Sequence, residues 1–227
     1  MAAISVTERR ALLAAAFPRR FERGTVFIRV GEPAKEAYVV VSGYVKVMAG
    51  NPEGNTALLA IRTAGDMVGE FAVLDGGPRS ATVQAAGQVV VAAIPADVLH
   101  DFLADHPGTA RAVQNGVTAK MRESIRHRAD LNGVPVNLRL ARVLHKLAGC
   151  YGRDDAEGLV LAVPLSQADL AALVGATEQS IRRGLAALRE QGVITARYRR
   201  LIVKDMFRLQ TLVDTGPEPP LHERITR

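Results

Sequence analysis

Glu70 and Arg79 stand at the two ends of a tight turn, in the run Gly69-Glu70-Phe71-Ala72-Val73-Leu74-Asp75-Gly76-Gly77-Pro78-Arg79-Ser80-Ala81-Thr82. A carboxylate accepts hydrogen bonds from hydroxyl groups and repels anions. A guanidinium holds the oxygens of an anion in a planar fork. The two together, with the Ser80 hydroxyl beside the cation, suit a ligand that carries both a hydroxyl and a negative charge. The plainer alternative is an internal Glu70–Arg79 ion pair that closes an empty turn.

A second constellation lies toward the C-terminus. Ser166-Gln167-Ala168-Asp169 reads as a capping box before Leu170, Leu173 and Val174, and Gly175 ends that helix. Thr177 caps the next one, in which Ile181, Leu185 and Leu188 share a buried face. Glu178, Gln179, Arg182, Arg183 and Arg189 remain on the others. Two short helices around a glycine turn make a helix-turn-helix. Gly192-Val193-Ile194 closes it, and 197–204 reads as two small strands with a basic turn, the wing of a winged helix. Residues 177–204 hold seven basic and two acidic side chains, close to the whole surplus of a chain with formal charge +6. Such local charge faces phosphates, while the start of the second helix meets base edges. Thr177, Glu178, Gln179, Arg182 and Arg183 are therefore the candidates for the DNA-reading helix start, with Gln179, Arg182 and Arg183 on bases. Arg189, Arg197, Arg199 and Arg200 are the candidates for phosphate contacts.

These two sites need elements to hold them. Residues 5–17 read as a short helix starting near Ser5 and stopping before Pro18. Segments 26–30, 37–48, 56–62 and 80–94 are rich in valine and isoleucine. They are separated by turns at Gly31-Glu32-Pro33, Ser42-Gly43, 51–54 and Gly76-Gly77-Pro78, which predicts a sandwich or barrel. From Pro95 the period becomes helical, with an interruption at Pro107-Gly108. The stretch 109–131 then carries Val113, Val117, Met121 and Ile125 at four-residue steps. A helix of roughly 35 Å is predicted there, lying against its own barrel or pairing with a second copy. Asn132-Gly133-Val134-Pro135 marks the best boundary. A helix over 136–149, a charged loop over 153–158 and a strand over 159–163 follow. The polar, proline-rich tail 214–227 predicts disorder.

Composition limits the alternatives. The chain has 227 residues, 48% of them apolar, enough to bury a substantial core in one or two domains. A single cysteine, Cys150, leaves no disulfide framework, no cysteine-rich zinc site and no all-cysteine iron–sulfur cluster. The five histidines show no ligand-like clustering, and no metal is expected. No paired nucleophile and base and no Walker-type loop are present, so no enzyme is predicted. Arginines and acids interrupt the N-terminal alanines, and no apolar run reaches about 18 residues. A cytoplasmic protein without membrane attachment is expected.

In this order, a jelly-roll-like sheet domain, a long helix and a winged helix resemble the Crp/Fnr family of regulators. The resemblance covers roughly residues 20–205 and implies an α+β fold. Its parts would be a cyclic-nucleotide-binding β-barrel with its N-terminal helix at 1–108, a dimerisation helix and hinge at 109–134, and a winged helix-turn-helix at 135–213. Gly31-Glu32, Tyr38, Gly43 and Val45-Lys46 match the early barrel. Gly69-Glu70-Phe71-Ala72 followed by Pro78-Arg79-Ser80-Ala81-Thr82 resembles the phosphate-binding cassette of cyclic-nucleotide domains. By that resemblance Glu70 accepts from the ribose 2′-hydroxyl, Arg79 pairs with the cyclic phosphate and Ser80 donates to it. Backbone N–H groups near Gly69 and Ala81 complete the cradle, and Ser124 on the long helix contacts the purine. Ile125 stands where relatives place a second hydroxyl. The implied effector is cyclic AMP, with cyclic GMP as the alternative. The implied partners are a second copy of the chain, double-stranded DNA with a palindromic operator, and RNA polymerase. The recognition helix departs from the family pattern: Glu178 and Gln179 stand where an arginine and then a glutamate are expected, Arg183 matches, and Arg182 is an added cation. The alternative functions are a nucleotide-sensing protein-interaction module, or a regulator of the same fold that is ligand-independent or takes another effector.

Overall fold

The computed structural model describes residues 4–50, 56–197 and 200–215. They form two compact units, Met1–Ile125 and Arg126–Arg227.

The first unit begins with α1 (Val6–Ala14). The Ser5 hydroxyl accepts from the Glu8 N–H at 3.2 Å and donates to the Glu8 carboxylate, which holds that carboxyl below its ordinary pKa. The helix ends before the expected residue 17 because Phe17–Phe21 is drawn out as β1. The other strands are β2 (Val26–Ile28), β3 (Glu36–Ser42), β4 (Tyr44–Gly50), β5 (Thr56–Thr63), β6 (Met67–Val68), β7 (Thr82–Ala85) and β8 (Val89–Pro95). Two four-stranded sheets result, ordered β1-β8-β3-β6 and β2-β7-β4-β5. The expected strands over 37–48 and 80–94 are each two strands, and the expected turn at 51–54 lies outside the described residues.

Period-two alternation decides what each face buries. Tyr38, Val40, Val89, Val91 and Ala93 point between the sheets, together with Ile28, Val45, Val68 and Val83. Ala37, Val39, Ala92 and Ile94 point the other way, into a second core with Leu12, Val73, Leu99 and Val113. Both faces of β3 and β8 are thus covered, so these strands read as unbroken apolar runs. Phe21 stacks on Phe27 at 4.5 Å, and Tyr38 meets Phe27 edge-on at 5.3 Å. These rings fill a core without tryptophan.

Two short helices, α2 (Glu70–Asp75) and α3 (Ala96–Asp105), precede the long α4 (Pro107–Gly133). The break expected at Pro107-Gly108 falls at His106, which ends α3, and Pro107 opens α4, because a first-turn proline lacks only an N–H that no helix would use. The four-step line of apolar residues does not form one face. Val113 is buried, whereas Met121 and Ile125 are 56% and 66% exposed. Four residues turn a helix by about 400°, so such a line drifts about 40° at each step.

In the second unit α5 (Val136–Tyr151) leads into the hairpin β9 (Gly152–Asp155) and β10 (Gly158–Leu161), so the expected charged loop is largely strand. Then come α6 (Gln167–Val174), α7 (Glu178–Glu190), β11 (Ile194–Arg197), β12 (Arg200–Val203) and α8 (Met206–Asp214). The sheet order is β11-β12-β10-β9. Helix α8, which the sequence reading omitted, is capped by Asp205 and buries Leu209. Of the tail 214–227 only Asp214 and Thr215 are described.

Candidate effector pocket and nucleic-acid interface

β6 delivers the chain to Gly69, which takes a left-handed conformation (φ 78°) and starts α2. A Cβ there would lie 2.7 Å from the Arg79 Nη1 and 2.9 Å from the Ile28 Cδ1, so close approach and positive φ both demand glycine. Gly76 (φ 70°) ends α2. The Asp75 carboxylate accepts from the Gly77 N–H at 2.9 Å and tightens the turn. The Arg79 backbone is pinned on both sides: its N–H donates to the Glu32 carbonyl at 2.9 Å, and its carbonyl accepts from Gly31 at 2.8 Å.

The Arg79 side chain is buried, 7% exposed. It donates from Nη1 to the Gly69 carbonyl and from Nη2 to the Glu36 carbonyl, each at 2.7 Å. Two of its five N–H groups are thereby spent on neutral acceptors, which fix the plane of the fork. The Glu36 side chain is anchored by Arg19 at 2.8 Å and by the Tyr38 hydroxyl at 2.5 Å. Burial, followed by the neighbouring Glu36 carboxylate, raises the Tyr38 phenol far above its ordinary pKa. The fork therefore rests on a fixed strand.

Glu70 is buried, 4% exposed, and does not pair with Arg79. Lys120 on α4 reaches it at 2.5 Å and also donates to the Met67 carbonyl at 2.6 Å. A second pair, Arg62–Glu123 at 3.0 Å, joins β5 to the same helix. A cavity of about 270 Å³ between α4 and the β5–β6 turn is lined by both pairs and by Asp66. It shares Glu70 with the predicted cassette but includes neither Arg79, Ser80 nor Ser124. The structure thus brings Gly69, Glu70 and Arg79 together around one turn, with Ser80 exposed and Ala81 half-buried next in the chain. Ser124 lies exposed one turn beyond Lys120.

Lys120 was missed by sequence reasoning. The signal for it is the spacing 113–117–120, an i, i+4, i+7 stripe that keeps to one helix face better than the four-step line does. Lys120→Met is expected to cost about 2–4 kcal/mol by leaving a buried carboxylate without its cation. Adding Glu70→Gln should recover part of that loss, and chemical denaturation of the single and double variants measures both.

In the second unit the reading-helix geometry follows from local chemistry. Ser166 and Asp169 close a reciprocal capping box on α6. Gly175 (φ 64°) ends α6, and the Thr177 hydroxyl accepts from the Ser180 N–H at 3.2 Å to start α7. Ile181, Gly184, Leu185 and Leu188 are buried. A Cβ on Gly184 would meet the Leu140 Cδ2 at 2.7 Å, so α7 lies close on α5. Thr177, Glu178, Gln179, Arg182, Arg183, Arg189 and Arg200 are all exposed. Arg189 donates to the Leu185 carbonyl at 3.2 Å within its own helix. Arg197 pairs with Arg200 in the β11–β12 register, and Arg199 lies outside the described residues.

A cassette turn in a two-sheet domain, followed by a long helix and a winged helix-turn-helix, is the domain order of a DNA-binding regulator. Residues 18–106 match the cyclic nucleotide-binding domain, and residues 138–212 match the Crp-like helix-turn-helix domain. The chain belongs to the Crp/Fnr family of transcription regulators, which are not enzymes. It is 30% identical over 192 residues to the CRP-like cAMP-activated global transcriptional regulator of Mycobacterium tuberculosis, covering 85% of this chain and 86% of that one. It is 29% identical to the transcriptional regulator LdrP of Thermus thermophilus, over 85% and 94% of the two chains. A Crp-family regulator of Thermus thermophilus superposes with a TM-score of 0.73 at 27% identity, covering 88% of this chain and 99% of that one. Among the described residues no helix is long and apolar enough to cross a membrane.

Proposed function

We propose that this protein is a homodimeric, sequence-specific transcription regulator whose DNA binding responds to cyclic AMP. The observation that carries the reading is the buried Arg79 guanidinium, held in place by two neutral carbonyls. A buried cation whose hydrogen bonds go to neutral groups keeps its charge available for an incoming anion. Three N–H groups remain to meet one, with the Ser80 hydroxyl beside them. A cyclic phosphodiester carries a single negative charge and fits this role. In this reading Glu70 accepts from the ribose hydroxyl while still bonded to Lys120, backbone N–H groups near Gly69 and Ala81 complete the cradle, and Ser124 contacts the purine. The similarity to a regulator named as cAMP-activated favours adenine over guanine.

The exposed Met121 and Ile125 side chains, one helical turn apart on α4, supply the apolar seam for a second copy. Met121→Glu with Ile125→Glu is expected to turn the dimer into a monomer, as read by light scattering after size exclusion. A two-fold dimer would present two α7 helices to a palindrome spaced by about one helical turn, with Arg189, Arg197, Arg199 and Arg200 on phosphates. RNA polymerase is the protein partner this reading implies once DNA is bound.

Calorimetric titration of extensively dialysed protein with cyclic AMP and, separately, cyclic GMP tests the effector. Saturation near one cyclic AMP per subunit is expected. Absence of heat with both nucleotides, at several temperatures and with folded protein, would leave only the DNA-binding half of the proposal.

A further inference from the structure

The geometry points to Arg139 as a positioning residue that sets the recognition helix for base reading; this rests on the DNA-reading role proposed for α7. Arg139 lies in the first turn of α5. Its side chain donates to three backbone carbonyls: from Nε to Val174 at 2.8 Å, from Nη1 to Val134 at 2.7 Å and from Nη2 to Gly175 at 2.9 Å. Val174 is the last residue of α6 and Gly175 its left-handed cap, two residues before the Thr177 that starts α7. One guanidinium thus ties the turn of the helix-turn-helix to the segment that follows α4.

Two further contacts reinforce the tie. A Cβ on Gly175 would collide with the Leu131 Cδ2, so the turn lies directly against the last turn of α4. Arg142, one turn beyond Arg139 on α5, pairs with Asp130 at 2.6 Å. Carbonyls at a helix C-terminus carry partial negative charge and attract a cation, but the arrangement asks for more than charge. Three acceptors lie around one planar fork, which an ammonium cannot match with its tetrahedral donors.

The consequence falls on α7. This helix of 13 residues is about 20 Å long, so a small change in the turn that launches it moves Gln179, Arg182 and Arg183 together. Hydrogen bonds to base edges fail with displacements of about half an ångström, whereas long arginines follow phosphates through larger shifts. Loosening the turn should therefore lower discrimination between sequences far more than it lowers affinity for DNA in general.

The test uses the full chain, with and without cyclic AMP. A duplex selected by the wild type from a random-sequence library is compared with a scrambled duplex of the same length. In Arg139→Lys the selected-to-scrambled affinity ratio is expected to fall about tenfold. Affinity for the scrambled duplex should stay within about twofold and its salt dependence should not change, because the phosphate contacts remain. Arg139→Gln should lower the ratio further. An unchanged ratio in Arg139→Lys would overturn the inference. So would an equal fall of both affinities together with a lowered melting temperature, which is what a purely structural arginine would produce. Failure of the wild type to select any sequence would remove the DNA-reading role itself, and this inference with it.

Discussion

Replacing Arg79 with alanine is expected to abolish measurable binding of cyclic AMP, a loss of at least a hundredfold in affinity. The guanidinium is buried, and its hydrogen bonds to the Gly69 and Glu36 carbonyls orient it without neutralising it. Its pairing with a phosphate oxygen is then a desolvated charge–charge contact. Removing one partner of such a contact costs about 3–5 kcal/mol, or roughly two to nearly four orders of magnitude in the dissociation constant. Arg79→Lys keeps the charge but loses the fork, and should fall between wild type and alanine. Calorimetry on variants shown to be folded by circular dichroism measures this. An Arg79→Ala protein that binds cyclic AMP as tightly as the wild type would remove Arg79 from the effector site and the cassette reading with it.

The second large effect is on DNA. Arg182→Glu with Arg183→Glu should lower affinity for the selected duplex by about a thousandfold while leaving nucleotide binding intact. Both side chains are exposed near the start of α7, away from its buried face. Each loses a charge-assisted hydrogen bond of about 1.5–3 kcal/mol, and each adds an anion facing phosphates. Fluorescence anisotropy at several salt concentrations separates the two sources of loss. To the extent that the arginines contact phosphates, the slope of log affinity against log salt should fall by about one for each. Unchanged DNA affinity in the double variant would favour a winged helix that contacts protein instead.

Much of this was legible from local residue chemistry. Gly76 and Gly175 both take left-handed backbone, at places where the sequence read a turn or a helix end. Ser166, Asp169 and Thr177 cap the helices they were expected to cap. The winged-helix order of α6, α7, β11 and β12 follows from signals no more than four residues apart. Such signals work because a cap, a glycine turn and a helix face are decided within one or two turns of chain.

What stayed hidden depended on partners far along the chain. β1 lacks the apolar alternation of an ordinary strand, and pairing with β8, about seventy residues later, makes it one. The Phe71–Leu74 run inside the cassette reads as a plain apolar segment, yet it is helical, burying Ala72 and placing Val73 in one core with Ala37 and Val39 of β3. By sequence alone Glu70 had either a hydroxyl ligand or Arg79 as its partner. The fold gives it Lys120, 50 residues away, and turns Arg79 toward two carbonyls. Arg139 likewise meets carbonyls 35 and 36 residues on. The family, the order of elements and the candidates for meeting an anion, a hydroxyl and a base edge were legible in the chain, because these follow from residue type and short spacing. Which charges neutralise each other and which are met by neutral carbonyls took the three-dimensional fold, because backbone carbonyls are identical at every position in a sequence and acquire meaning only where the fold aims them.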